Sequence, residues 1–200
     1  MFYPKIQPEF QENLNRLNLN AANEFQLNVF KKMRSGADVV AIAEAGTGKT
    51  TGIITTLIHQ LKEAFEDAPR ALIIVNNRAE VEFYLAQFAE LGRHTDLRVK
   101  PAFEGKPWKD QMEEIYIGAD VVVGTIGRIQ EIYFKNGINL NKIKHLIIEN
   151  AHNLTHQQVP QIERLLLTLE KCQRTFVGQH ITERIERIAD EHLKKVEWVE

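Results

Sequence analysis

Short apolar runs rich in β-branched residues recur along the chain, separated by longer segments in which apolar residues return every three or four positions. The runs are DVVAIAE (38–44), ALIIV (71–75), LRVKPAF (97–103), DVVVGT (120–125), HLIIE (145–149), RTFVG (174–178) and VEWVE (196–200). Strands that are apolar on both sides of the pleat belong in a sheet covered on both faces. Their alternation with helical periodicity predicts a parallel sheet between two helical layers. The six intervening segments read mostly as helices. FYLAQFAELG spaces Phe83, Leu85, Phe88 and Leu91 for one face and stops at Gly92, and Pro160 suits the first turn of a helix carrying Ile162, Leu165, Leu166 and Leu169. Two more helices, over 9–17 and 21–34, precede the first strand, the second stopping at Ser35-Gly36. No repeat, low-complexity tract or linker interrupts the pattern. It predicts one α/β domain, in which helices over 1–36 pack on a core unit of 37–200.

Composition narrows the function classes. With 44% hydrophobic residues in a chain of 200, a substantial core is expected. The 25 basic and 27 acidic residues leave a net charge of −2, so any nucleic-acid site must be a local patch rather than a basic coat. A single cysteine, Cys172, excludes an intramolecular disulfide and a cysteine-based zinc site, which fits a reducing compartment. The first residues, MFYPKIQPEF, have no basic flank or apolar run, and nothing reaches the length of apolar chain that a membrane span needs. A cytoplasmic protein without membrane contact is expected.

The strongest chemical signal is AEAGTGKTT (43–51), which directly follows one predicted strand and directly precedes the helical segment GIITTLIHQLKEAF. A strand, a glycine loop and a helix in that order form a phosphate-binding loop. Gly46 and Gly48 let the backbone N–H groups of Ala45 to Thr51 wrap around a phosphate at the helix N-terminus. In this arrangement Lys49 reaches the β- and γ-phosphates of ATP and the Thr50 hydroxyl ligates Mg²⁺. Ala43 stands where the general pattern has glycine.

Further marks follow in order. VNNRAE (75–80) sits after the second strand, VVVGTIGRI (121–129) spans the fourth, and ENAH (149–152) ends the fifth. Together with the Ala43 form of the loop they resemble the first RecA-like domain of a superfamily 2 helicase of the DEAD-box and DEAH-like group, over almost the whole chain. The resemblance implies a three-layer RecA-like P-loop NTPase sandwich with ATP and Mg²⁺ as cofactors and single-stranded nucleic acid, RNA before DNA, as partner. It places Arg78 on the family's Pro-Thr-Arg-Glu-Leu arginine, although Asn76, Asn77 and Ala79 replace its neighbours. It also places Thr125, Gly127 and Arg128 on the Thr-Pro-Gly-Arg segment. Gln26, 23 residues before Lys49, lies where the family has its adenine-reading glutamine, with Phe10 upstream as a candidate aromatic partner.

Each of these marks has a plainer reading. Gln26 could be a surface helical glutamine, Arg78 an exposed helix-start arginine, and Thr125 to Arg128 a strand end turning into a helix. Against that, helix N-terminal N–H groups with a nearby guanidinium suit backbone phosphates. Phe103, Trp108 and Trp198 could stack on bases or close a core.

The pair that defines catalysis in the family departs from it. Glu149 and Asn150 stand where the family has Asp-Glu. Glu149 keeps a carboxylate for Mg²⁺ on a longer arm. Asn150 can orient a water but cannot accept its proton, and losing a general base typically costs about 10²- to 10⁴-fold. His152 is expected to contact the γ-phosphate or a neighbouring loop rather than replace the base. Gly178, Gln179 and His180 share nothing with the family's Ser-Ala-Thr segment. VEWVE stands where the resemblance would start a second RecA-like domain, so the arginine finger of such a domain, worth about 10³ to 10⁵ in rate, is expected to lie outside residues 1–200. An ATP-binding domain with feeble hydrolysis and no unwinding alone is expected. The alternatives are half of a working RNA helicase, completed by a second domain, and a regulator that uses ATP to dock a protein partner.

Overall fold

The computed structural model describes residues 3–200; residues 1–2 of the expected N-terminal unit lie outside the described residues. Seven strands form one sheet: β1 (Val39–Ile42), β2 (Ala71–Val75), β3 (Val99–Ala102), β4 (Val121–Thr125), β5 (His145–Ile148), β6 (Gln173–Gly178) and β7 (Glu197–Val199). Their order is β3-β4-β2-β5-β6-β1-β7 and every pair is parallel. All seven strands fall within or against the seven apolar runs. β1 stops at Ile42 because Ala43 and Glu44 already belong to the glycine loop, and Pro101 is tolerated because β3 is an edge strand.

Alternate residues of each strand feed two separate cores. Val39, Ala41, Ile73, Val75 and Ile147 face α1 (Pro8–Arg16), α2 (Glu24–Ser35), α3 (Lys49–Leu61) and α4 (Arg78–Leu91). Val40, Ile42, Leu72, Ile74 and Ile148 face α5 (Trp108–Ile117), α6 (Ile126–Phe134), α7 (Gln158–Thr168) and α8 (Glu183–His192). The result is the expected three-layer sandwich. A period of two along each strand sets which core a residue joins, so a one-residue slip would exchange the two layers' contacts throughout.

Local chemistry sets the ends of these elements. α2 begins at Glu24, not at 21, because the Asn23 side chain accepts the Gln26 N–H while the Gln26 side chain accepts the Asn23 N–H, a reciprocal cap. It ends on Gly36 in the left-handed region, φ 81°. In α4 the buried stripe is Val81, Tyr84, Phe88 and Leu91, which corrects the expected face: Phe83 is 51% exposed. The spacing 81, 84, 88, 91 is the better helical stripe, and Tyr84 belongs in it despite its hydroxyl.

Because every strand runs the same way, the loops leaving β1 to β6 all emerge along one edge of the sheet. That edge is where open α/β sheets bind ligands.

Candidate nucleotide and nucleic-acid site

The loop between β1 and α3 is held from several sides. The Ala43 N–H donates to the Gly178 carbonyl at the end of β6, and the Thr47 hydroxyl donates to the Glu44 carbonyl. Gly46 and Gly48 have φ of 80° and 82°, in the left-handed region where a side chain is strained. Lys49 is 8% exposed, and its ammonium donates to the Ala43 and Glu44 carbonyls at 2.6 Å each, inside the curl of the loop. Burial pulls its pKa down, and the Glu149 carboxylate opposes that shift. Ala45 and Gly46 are exposed, and Thr50 and Thr51 begin α3 half-buried.

Gln26 is buried, not on the surface. Its Nε2 donates to the Gly48 carbonyl at 3.1 Å, and Asn23 Nδ2 donates to the Thr47 carbonyl at 2.8 Å, so the start of α2 braces the loop. Gly52, one turn into α3, leaves room for this: a Cβ there would meet Gln26 Cγ at 3.3 Å. Phe10 does not join the site. It is 1% exposed and stacks on His94, beyond the far end of α4, with ring centroids 4.9 Å apart.

Glu149 leaves β5 into the space beside Lys49. It is 5% exposed, and its Oε2 accepts the Tyr84 hydroxyl at 2.5 Å. Burial raises its pKa, while Tyr84 and Lys49 lower it. The Thr50 hydroxyl and a buried carboxylate are hard oxygen donors of the type Mg²⁺ takes, so the residues present fit that ion. Asn150 adopts the left-handed region, φ 49° and ψ 42°, which asparagine tolerates better than most residues.

His152 Nδ1 accepts the Gln179 N–H at 3.2 Å, and its ring meets His180 edge-on with centroids 4.9 Å apart. Burial, with His180 and Lys49 nearby, lowers its pKa. An imidazole that accepts at Nδ1 carries its proton on Nε2 when neutral. It can then donate to a phosphate oxygen but cannot take a proton from water through that nitrogen.

The nucleic-acid candidates lie along the same edge, beyond β2, β3 and β4. Arg78 is exposed, pairs with Glu82 at 2.7 Å and lies over the Phe103 ring at 5.1 Å, with Lys106 on that ring at 5.5 Å. Phe103 itself is buried, so it closes the core rather than offering a stacking face. Trp108 is half-buried beside Lys135, 4.4 Å from ring centroid to ammonium, and Trp198 is 41% exposed on edge strand β7. Thr125 donates to Glu104 Oε2 at 2.6 Å, and a Cβ on Gly127 would meet Glu104 Oε1 at 2.9 Å. Both oxygens of Glu104 therefore sit at the first turn of α6, where an approaching phosphate would also be drawn. Arg128 is buried, donating to the Lys106 carbonyl at 3.0 Å and pairing with Glu131, so it shapes the 103–107 loop. Nothing in the spacing of the sequence signalled Glu104 or Tyr84, the two residues that touch the motif side chains most directly.

Among the described residues, no helix is long and apolar enough to cross a membrane. The family model described as DEAD/DEAH box helicase matches residues 23–181. An ATP-dependent RNA helicase RhlB of Actinobacillus succinogenes is 30% identical over 173 residues, covering 84% of this chain and 41% of the relative. Nucleolar RNA helicase 2 of Rattus norvegicus is 28% identical over 173 residues, covering 83% of this chain and 22% of the relative. Among solved structures, a DEAD box protein from Methanococcus jannaschii superposes with a TM-score of 0.90 at 18% identity, over 97% of this chain and 53% of that one. The yeast splicing factor Prp28 does so at 0.89 and 17%, over 96% and 49%. At these identities the structural likeness shows the fold alone. The chain spans between 17% and 48% of the length of these curated relatives.

Proposed function

The chain belongs to the DEAD/DEAH box helicase family, and on that premise we propose that it is an N-terminal RecA-like domain that holds ATP with Mg²⁺ and, weakly, single-stranded RNA. By itself it hydrolyses ATP feebly or not at all and unwinds nothing. The observation that carries this reading is the pairing of an intact phosphate loop with an amide where the family has its second carboxylate: Lys49 lies inside the curl of the loop beside buried Glu149, and the next residue is Asn150.

The residues divide the work. The backbone from Ala45 to Thr51 and the Lys49 ammonium cradle the phosphates, and Gln26, already braced on Gly48, reads adenine from the side of α2. Thr50 and Glu149 hold Mg²⁺, which when bound neutralises phosphate charge. Asn150 orients a water through its amide, and His152 donates from Nε2 to a phosphate oxygen; neither takes the water's proton. Arg78, Thr125, Gly127 and the helix start of α6 grip nucleic-acid backbone, while Arg128 fixes the loop beneath them.

A second reading is favoured by the chain covering less than half of its relatives: it is one half of an ATP-dependent RNA helicase whose second domain supplies the arginine finger.

One experiment tests both readings. ATP affinity and steady-state phosphate release are measured on the same sample with and without single-stranded RNA, alongside Lys49→Ala and Asn150→Glu. Binding that depends on Lys49, with turnover appearing only in Asn150→Glu, supports the first reading. Turnover by the unmodified chain that rises with RNA and an added second RecA-like domain supports the other. No nucleotide binding refutes both, and nucleotide-dependent capture of a protein partner without RNA stimulation would make the domain a regulator.

A further inference from the structure

Tyr84 belongs to none of the motifs that carry the family resemblance, yet it reaches the centre of the site. It sits on the buried stripe of α4 and is 1% exposed. Its hydroxyl donates to Glu149 Oε2, and the Thr50 side chain lies beside the same hydroxyl. The phenol thus bonds one of the oxygen donors assigned to Mg²⁺ and lies beside the other.

Glu149 needs such a partner. A glutamate carboxylate has one more rotatable bond than an aspartate, so at the same backbone position it samples more orientations. Tying Oε2 to a fixed phenol on a packed helix removes that freedom and leaves Oε1 as the oxygen able to turn toward the phosphate loop. A residue that holds a metal ligand in this way sets its geometry as surely as the ligand's own backbone does.

We infer that Tyr84 is the positioning residue of the metal half of this site, anchoring Glu149 in a single arrangement before Mg²⁺ arrives. This rests on the ATP–Mg²⁺ reading above. It assigns a role outside the family's motif segments, and it explains how the longer carboxylate of Glu149 is accommodated: the extra reach is taken up by the phenol of α4.

The test is binding of a fluorescent ATP analogue over a series of Mg²⁺ concentrations. Unmodified protein is compared with Tyr84→Phe, Glu149→Gln and the double variant, with thermal unfolding in EDTA as a check on the fold. Tyr84→Phe removes one oxygen and keeps the packed ring. It is expected to raise the Mg²⁺ concentration for half-maximal tightening by about 10-fold, the usual cost of losing a partner of a metal ligand, and to leave binding in EDTA unchanged. In the Glu149→Gln background the same change should add nothing, because the oxygen it positions no longer binds metal. A packing defect would travel with Tyr84→Phe in either background, so an equal shift in both overturns the inference. An unmoved Mg²⁺ midpoint in Tyr84→Phe overturns it while leaving the ATP reading intact. Absence of any Lys49-dependent nucleotide binding overturns both.

Discussion

Alanine at the two left-handed glycines of the phosphate loop should have unequal costs, and the difference measures how tightly Gln26 braces the loop. Gly46 has φ 80° with nothing within 4 Å of a Cβ, whereas Gly48 has φ 82° and a Cβ there would lie 2.4 Å from Gln26 Nε2. Both substitutions place an L-residue in the left-handed region, at about 1–2 kcal/mol. Gly48→Ala must in addition push the end of the Gln26 side chain away. That breaks its bond to the Gly48 carbonyl and disturbs its share of the α2 cap. Each such hydrogen bond contributes about 1 kcal/mol net, so Gly48→Ala should be less stable than Gly46→Ala by roughly 1–2 kcal/mol. Urea denaturation of the two variants in nucleotide-free buffer reads the difference directly. Introducing Gln26→Ala into both should abolish it, because the shared backbone strain then remains alone. Equal unfolding midpoints for the two alanine variants, or a difference that survives Gln26→Ala, would refute the bracing role.

Three further outcomes are expected. Glu104→Gln removes the charge now resting on the first turn of α6 and should tighten binding of a single-stranded RNA about two- to five-fold at low salt, read by fluorescence anisotropy; unchanged or weaker binding would mean that the carboxylate does not compete there. Asn150→Glu should lower stability by about 1 kcal/mol in denaturant, because glutamate fits φ 49° less well than asparagine; a neutral result would show that the turn relaxes. Burial in β5 pushes the His145 pKa down to about 4 from 6.5, with Gln173 opposing the shift. The unfolded chain therefore binds the extra proton first as pH falls. Stability linked to His145 is complete above about 6.5 and is lost toward pH 4, at up to about 1.4 kcal/mol per pH unit. His145→Gln should flatten that limb of the stability curve, measured by denaturation at several pH values, and a slope unchanged from the parent would count against the assignment.

The layered fold was legible because strands buried on both faces must be apolar at every position, and such runs stand out between helices with one polar side. The glycine loop between β1 and α3 was legible for a different reason: its glycines and lysine are adjacent in the chain, so sequence carries the loop's geometry. Glu104 and Tyr84 were not, because each meets its partner across 21 and 65 residues respectively, a distance no local pattern encodes. Tyr84 carries a polar hydroxyl at the end of a ring that fills the core, so an apolar pattern alone does not single it out. Arg128 illustrates the reverse. Its place in a motif suggested a solvent-facing contact, but the backbone carbonyl of Lys106 lies closer and takes the guanidinium. Phe10 had the composition of an adenine partner, but the fold sends it to His94 instead.

The strand order has a temporal consequence. β1, which delivers the phosphate loop, has no partner among the strands made just after it; its neighbours are β6 and β7, with Val39 beside Thr175 and Glu197. On a ribosome, residues 39–51 therefore emerge early and wait with both edges of their strand unpaired until more than 120 further residues have followed. Contacts so distant in sequence form late in folding. ATP capture by a nascent chain should accordingly appear in one step, once residues 173–199 have cleared the exit tunnel, and would report completion of the sheet rather than synthesis of the loop itself.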